Sequence, residues 1–276
     1  MDSAANSVSP DGERIQKVLA HAGLASRREI ETWIENGEVS LNGKPAKLGD
    51  RWKEGDLLSV RGRPFNLEKR QNQETRVLAY HKPTGEVVTR RDPEGRPTIF
   101  TQLPRLEIGR WINVGRLDIN TQGLLLVTNN GDLAHKLMHP SQQIEREYAV
   151  RVLGTIGDDM LERLKKGVEL EDGTAHFNSI ADAGGEGSNH WYHVTLTEGR
   201  NRIVRRLWES QNVVVSRLIR IRFGDIVLPP HIKARVYTEL SHEERDNLLV
   251  MAGLPPESPP KKSVRVRMSD GRWRDK

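Results

Sequence analysis

The sequence predicts an α+β protein in two unequal parts: a small unit of short helices and hairpins near the N-terminus, and a larger domain with a mixed, mainly antiparallel sheet around a central cleft. Three observations carry this. Apolar residues recur at helical spacing only in short stretches, the first being Ile15, Val18, Leu19 and Ala22. β-type runs are frequent and do not alternate regularly with the helical ones, which argues against a doubly wound parallel sheet. Asn42-Gly43 sits between alternating residues, a strong hairpin signal. The 276 residues suffice for one medium domain and one small one.

Taken in order, residues 1–12 read as a disordered leader. The helix of Ile15 to Ala22 ends at Gly23. Ser26-Arg27-Arg28-Glu29 opens a second helix with the S-x-x-E capping-box spacing, and Ile30, Trp33 and Ile34 form its apolar face. Val39-Ser40-Leu41, the Asn42-Gly43 turn and Leu57 to Val60 then make a hairpin-rich sheet, so the first domain spans 13–65. Residues 66–75 are polar without periodicity and read as a linker. The larger domain covers 76–250. Val77 to Tyr80 is a strand and Lys82-Pro83-Thr84-Gly85 a turn; Glu147–Val152, Tyr192–Thr197, Val213–Ile221 and Arg235–Glu239 are β-type, whereas Leu133–Met138, Asp158–Lys166 and Ile203–Ser210 are helical. Residues 251–276, rich in Pro, Lys and Arg, read as a basic disordered tail.

Composition narrows the chemistry. There is no cysteine, which removes disulfides, thiolate metal sites and Cys nucleophiles together. No apolar run approaches a membrane span, and the polar, mildly acidic start lacks a secretory signal, so the expected location is the cytoplasm. The net charge of +5 is unevenly spread. Glu198 to Asp225 holds seven Arg and three acids, and Lys261 to Lys276 holds seven basic residues and two acids. The rest carries 29 basic and 33 acidic groups, a net of −4. Positive charge gathered this way suits a phosphate-binding surface.

Two short helices feeding a small sheet, with R-I-Q-K-V-L-A-H-A-G-L-A-S-R-R-E across them, resemble the S4 RNA-binding domain. That resemblance implies RNA contacts from Ser26, Arg27, Arg28 and Lys44. Charge makes the same point for Arg27 and Arg28: two cations at a helix start meet the positive end of its dipole, a poor choice unless an anion binds there.

Gly115-Arg116-Leu117-Asp118-Ile119-Asn120-Thr121-Gln122-Gly123-Leu124-Leu125-Leu126-Val127-Thr128 is a glycine-bounded polar turn entering a buried apolar strand. An aspartate before a strand is ordinarily an Asx-turn or a surface ion pair. The segment nevertheless resembles the catalytic motif of pseudouridine synthases of the small-subunit (RsuA-like) branch. Arg146-Glu147-Tyr148 and Glu198-Gly199-Arg200-Asn201-Arg202-Ile203-Val204-Arg205-Arg206-Leu207 follow in the family's order. The resemblance implies that Asp118 is the catalytic residue, that Tyr148 stacks on the target uracil, and that Arg205 is the salt-bridge partner of Asp118. It further implies that Arg116 fills the gap left by a flipped base, that Lys82 contacts the RNA backbone, and that Arg200 and Arg202 lie along the RNA. Arg200, Arg202, Arg205 and Arg206 cannot share one helix face, so only some of them can reach the aspartate. Longer stretches, R-V-L-A-Y-H-K-P-T-G-E and E-G-R-N-R-I-V-R-R-L-W-E among them, are similar to branch members that act on 23S rRNA near the peptidyl transferase centre.

The chemistry fits these residue types. Pseudouridine formation breaks N1–C1′, turns the uracil and joins C5 to C1′; no atom enters, so no cofactor or metal is expected. The carboxylate can attack C1′, attack C6, or remove the C2′ proton, and the sequence leaves the three open. Nine histidines raise a metal reading, but His190 and His193 fall on opposite faces of one strand. The expected partner is 23S rRNA or a large-subunit assembly intermediate, met by a monomer. Three rivals remain: the same reaction at another rRNA uridine, a non-catalytic S4-domain assembly factor, for which Asp118 has no use, and a base methyltransferase, which lacks here both Cys and a Gly-rich cofactor loop.

Overall fold

A computed structural model describes residues 12–67, 73–186 and 189–257, and the backbone of 265–267 and 273–275. The expected leader, except Gly12, lies outside the described residues, as do 68–72 of the linker and most of the tail.

In the first domain, β1 (Glu13–Arg14) leads into α1 (Ile15–His21) and α2 (Arg27–Glu35), followed by β2 (Val39–Leu41), β3 (Lys44–Pro45), β4 (Arg51–Trp52), β5 (Leu58–Val60) and β6 (Arg63–Phe65). The sheet order is β3-β2-β5-β6, and β1 pairs β4. Asn42 and Gly43 have φ of 51° and 78°, both positive as a two-residue type I′ turn demands. Ser26 Oγ accepts from Glu29 N at 3.1 Å. The return half of the capping box is not made among the described residues, and the Glu29 carboxylate acts on Arg110 of the second domain. Ile15, Leu19, Ile30, Val39 and Leu58 fill the core with Leu67, which the linker reading had placed outside it.

The second domain runs through β7 (Val77–Lys82), β8 (Ile112–Asn113), β9 (Gln122–Thr128), α3 (Gly131–Met138), β10 (Arg146–Leu153), α4 (Asp158–Lys166), β11 (Val168–Leu170), β12 (Gly173–Ala175), β13 (Ser179–Glu186), β14 (Asn189–Leu196), α5 (Ile203–Glu209), β15 (Val214–Phe223), β16 (Ile226–Val227), β17 (Tyr237–Glu239) and α6 (His242–Met251). Its nine-stranded sheet has the order β13-β14-β10-β15-β9-β7-β17, with β8 on β9 and β16 on β15. β9 and β15 are parallel, and every other named pair is antiparallel. On one face α4 and α5 bring Leu164, Leu207 and Trp208 onto Tyr148, Val150 and Val152. On the other, α3 and α6 bring Leu133, Leu137, Leu248 and Leu249 onto Val77, Ala79, Leu124 and Leu126. β9 is thus covered on both faces, which is why it reads as an unbroken apolar run.

Among the elements without a counterpart in the sequence reading are β13 and α6. β13 carries Ala183-Gly184-Gly185, and its register with β14 shifts between Asp182 and Gly185, as glycines in a strand allow. α6 starts with a reciprocal capping box between Ser241 and Glu244. Beyond residue 250 the chain stays packed: Ala252 is fully buried, and Glu257 Oε2 accepts from Thr75 N at 2.9 Å. Farther on, the backbone of 265–267 pairs with that of 273–275.

The domains touch. Lys17 and Arg27 both reach Asp132 at the start of α3, at 3.1 and 3.2 Å. Gln73 Nε2 donates to Ile108 O at 2.9 Å. Gly23 meets Gly109 backbone to backbone, so closely that a Cβ on Gly23 would lie 2.0 Å from Gly109 Cα. Among the described residues no helix is long and apolar enough to cross a membrane.

Candidate active site

A cleft of about 430 Å³ opens where the Asp118 loop, β10, β15 and the loop before α5 converge. The residues around it include Arg116, Asp118, Arg146, Tyr148, Arg202 and Arg220.

The Asp118 loop joins β8 to β9. Gly115 turns it with φ 75° and no neighbour within 4 Å, so only the backbone needs glycine there. At Gly123 (φ 107°) both reasons apply, because a Cβ would lie 2.2 Å from Arg220 O on the parallel neighbour β15. Between them each carbonyl from 118 to 121 has a donor. Asp118 O accepts from Lys82 Nζ and from Thr121 N, both at 3.0 Å. Ile119 O accepts from Gly85 N at 2.8 Å, and Asn120 O from Arg205 Nη2 at 3.0 Å. Thr121 O accepts from Lys82 Nζ at 3.0 Å. The loop is held from behind, and the Asp118 side chain is left half-buried on the cleft side.

This corrects the role implied for Lys82. It is fully buried, and its ammonium gives its donors to the carbonyls of Pro83, Asp118 and Thr121, so no RNA backbone can reach it. Burial pushes its pKa down to about 8 from 10.5, with the carboxylates of Glu86 and Asp118 pulling the other way.

Arg205 also departs from expectation. Its Nη1 donates to Val215 O at 2.8 Å and its Nη2 to Asn120 O, while Nε is buried without a partner. It forms no ion pair with Asp118; both terminal nitrogens are already held by carbonyls. The effect of Asp118 on it is electrostatic at longer range: burial lowers the Arg205 pKa, the like charge of Arg202 lowers it further, and Asp118 raises it.

The remaining assignments divide. Tyr148 is buried on β10 with an edge in the cleft, and Arg116 is exposed at its mouth. Arg202, in the left-handed region at φ 49°, is exposed and meets only Glu209, at 3.4 Å. Arg200 borders the cleft but each nitrogen of its guanidinium is engaged: Nε donates to Glu198 at 2.5 Å, Nη1 to Asp172 and Gly173, and Nη2 to Thr174 O at 2.8 Å. It braces the β11–β12 turn, and the carboxylates of Glu198 and Asp172 already offset its charge. In the first domain Ser26 is a helix cap and Arg27 is tied to Asp132. That carboxylate offsets the dipole cost of a cation at the start of α2. Arg28 and Lys44 remain exposed.

Two cleft residues were missed, Arg146 and Arg220. A signal for Arg146 was present, since it lies two positions before Tyr148 on one strand and therefore on the same face. Arg220 needs the register, which sets it opposite Tyr148 across β10 and β15.

Comparison with known proteins shows the family. Residues 76–210 match the family model described as RNA pseudouridylate synthase, and 13–58 match the S4 domain. The chain is 54% identical over 267 residues to a protein of Pseudomonas aeruginosa named Ribosomal large subunit pseudouridine synthase B, covering 96% of this chain and 69% of that one. It is 56% identical over 254 residues to the protein of that name from Escherichia coli (strain K12), covering 91% and 87%. A solved structure described as a pseudouridylate synthase shares the fold, with a TM-score of 0.59 at 23% identity over 86% of this chain and all of that one. With an S4 domain, a synthase domain and relatives matched along most of its length, the chain belongs to the RNA pseudouridylate synthase family.

Proposed function

We propose that this protein isomerises one uridine of 23S ribosomal RNA, near the peptidyl transferase centre, to pseudouridine, with Asp118 as the catalytic carboxylate. The observation that carries the reading is the pairing of Asp118 with Tyr148 in one cleft, on a loop whose carbonyls from 118 to 121 are each hydrogen-bonded. The names of the close relatives support the choice of a large-subunit substrate.

The target base leaves its helix, lies against the Tyr148 ring and presents its ribose to Asp118. The carboxylate acts at C1′, C6 or the C2′ proton; N1–C1′ breaks, the uracil turns, C5–C1′ forms and the C5 proton leaves. Substrate and product are isomers, so the reaction consumes no co-reactant. Rigid placement of the carboxylate lowers the barrier, because a loop pinned at the carbonyls of 118 to 121 needs little reorganisation when the base arrives. Arg116 occupies the gap left in the helix, and Arg202, Arg28 and Lys44 grip phosphates. The protein works in the cytoplasm as a monomer, on 23S rRNA or a large-subunit precursor.

The test compares the wild type with Asp118→Asn on 23S rRNA, mapping pseudouridine chemically. The wild type should modify one site, and the variant should lose about 10⁴-fold in rate while still binding RNA. No product from the wild type, or equal product from the variant, sinks the assignment. Product at a different rRNA uridine would keep the chemistry and change the target.

A further inference from the structure

The floor of the cleft holds two guanidinium groups that lack counter-charge. Arg146 and Arg220 have their Cζ atoms 5.1 and 5.4 Å from the ring centroid of one residue, Phe223. Arg220 is 2% exposed; its Nε donates to Leu124 O at 2.7 Å, and its Nη2 is buried with no partner. Arg146 gives Nη1 to the carbonyls of Ile144 and Thr197, at 2.7 and 2.6 Å. Among the described residues neither has a carboxylate within ion-pair distance, whereas Arg200, Arg206, Arg222 and Arg245 all do. Burial lowers the Arg146 pKa, and the nearby charge of Arg220 lowers it further. Two like charges in a desolvated wall are costly unless an anion joins them.

Gly199 adds an independent observation. Its φ is not left-handed, so its backbone does not require glycine, and a Cβ there would sit 3.8 Å from Arg146 Nη2, an ordinary contact. What glycine does at 199 is leave the Arg146 guanidinium uncovered on the cleft side.

We propose that Arg146 and Arg220, uncovered at Gly199, form a subsite for one backbone phosphate of the RNA strand that enters the cleft. A phosphodiester that accepts from Arg146 Nη2 supplies the negative charge that both guanidiniums lack; a uracil carbonyl would satisfy a donor but leave both charges uncompensated. The inference rests on the reading of the cleft as an RNA site, and it adds which phosphate-binding groups lie beside the base. Unlike Arg202 or Arg28, these two are already ordered before the strand arrives, so little side-chain freedom is lost on binding.

The test measures RNA affinity of the full chain carrying Asp118→Asn, so that no turnover intervenes, alone and with Arg146→Gln, Arg220→Gln or Gly199→Leu added. The probes are a 23S rRNA stem-loop containing the modified uridine and versions with single methylphosphonates flanking it. Each Gln variant should bind about tenfold more weakly, with the slope of log Kd against log salt reduced by about 0.7 to 0.9. One methylphosphonate should weaken the parent by a similar factor and add nothing in either Gln variant. Gly199→Leu, which keeps both charges and permits the same backbone, should match the Gln variants. Should a Gln variant fail to fold, Gly199→Leu decides. Unchanged salt slopes in folded variants, or methylphosphonate penalties equal in parent and variants, overturn the subsite. If the subsite behaves as described but the unmutated protein makes no pseudouridine, the subsite stands and the assigned reaction falls.

Discussion

The wall behind the Asp118 loop and the floor of the cleft are both built from buried cations, in opposite ways. Behind the loop, Lys82 and Arg205 turn their donors inward onto main-chain carbonyls, three for Lys82 and two for Arg205. On the floor, Arg146 and Arg220 keep donors open, and among the described residues no acid pairs with them. The two sets lie in or beside the same short motifs. What separates them is where the acceptors lie. Lys82 and Arg205 hold carbonyls of the Asp118 loop, whereas Arg146 and Arg220 bond carbonyls outside that loop and border the cleft. Placement, and not the motif, tells which basic groups shape the loop and which await a ligand.

The comparison makes Lys82 the most sensitive position of the back wall. Lys82→Met strips Pro83 O and Thr121 O of a donor and loosens the loop; turnover should fall by about 10² or more, as expected when a catalytic group is misplaced by an ångström. Its RNA salt slope should stay at the wild-type value, and a reduced slope would show that Lys82 meets phosphate after all. Lys82 also sets a pH dependence. Below its pKa of about 8 it has three donors for three carbonyls, and above it only two, so turnover should decline above about pH 8. Stability moves the other way. The folded pKa lies below the unfolded 10.5, so the unfolded chain binds more protons between about 8 and 10.5, and the contribution of this group to stability rises with pH across that window. Recording rate and melting temperature against pH for wild type and Lys82→Met tests both; an alkaline decline of the same shape in the variant would assign it to another group.

Arg205→Lys should come next. A single ammonium cannot span Val215 O and Asn120 O as the fork does, so kcat should fall about ten- to a hundredfold with little change in KM. A variant with unchanged kcat would mean that the other carbonyl bonds alone fix the loop.

Arg202→Gln removes an exposed cation with one weak partner. It should leave kcat intact, raise KM a few-fold and flatten the salt slope by about one unit. The smallest effects are expected in the first domain. Arg28→Ala should weaken RNA binding about two- to fivefold in a salt-dependent manner, in line with the loss of one phosphate contact. Arg27→Ala should instead lower the melting temperature slightly, through its lost pair with Asp132, an exposed contact worth at most about 1 kcal/mol. Reversal of that pair of outcomes would exchange their roles.

Much of this was legible in the sequence because it is local. Asn42-Gly43, the cap at Ser26, the glycine-bounded Asp118 turn and the apolar run of β9 depend on residues within a few positions of one another, and the mixed sheet was read from the irregular succession of strands and helices. What escaped was contact across strands. Lys82 reads as a turn residue beside Pro83, yet it shares a strand face with Tyr80 and Leu78, both fully buried. β7 is buried on both faces, Val77 and Ala79 included, so no alternation in the sequence marked Lys82 as pointing inward. The acceptors of Arg200 lie about 28 positions back in a small hairpin, and those of Arg205 on a loop 85 positions away, which no spacing rule connects. Glycines hid β13, because their low β-propensity weighs against a strand that is held mostly by its neighbour.

The contact of Gly23 with Gly109 has a mechanical consequence. Where two domains meet through side chains, rotamers act as compliant spacers, and the joint yields by small steps. Here main chain bears on main chain, so nothing at that point can flex without the domains parting. Elsewhere in the joint the Lys17 and Arg27 side chains on Asp132 can adjust, but the Gly23–Gly109 contact cannot. That contact fixes the span between the basic start of α2 and the cleft, so an RNA that touches both is gauged by length as well as by sequence.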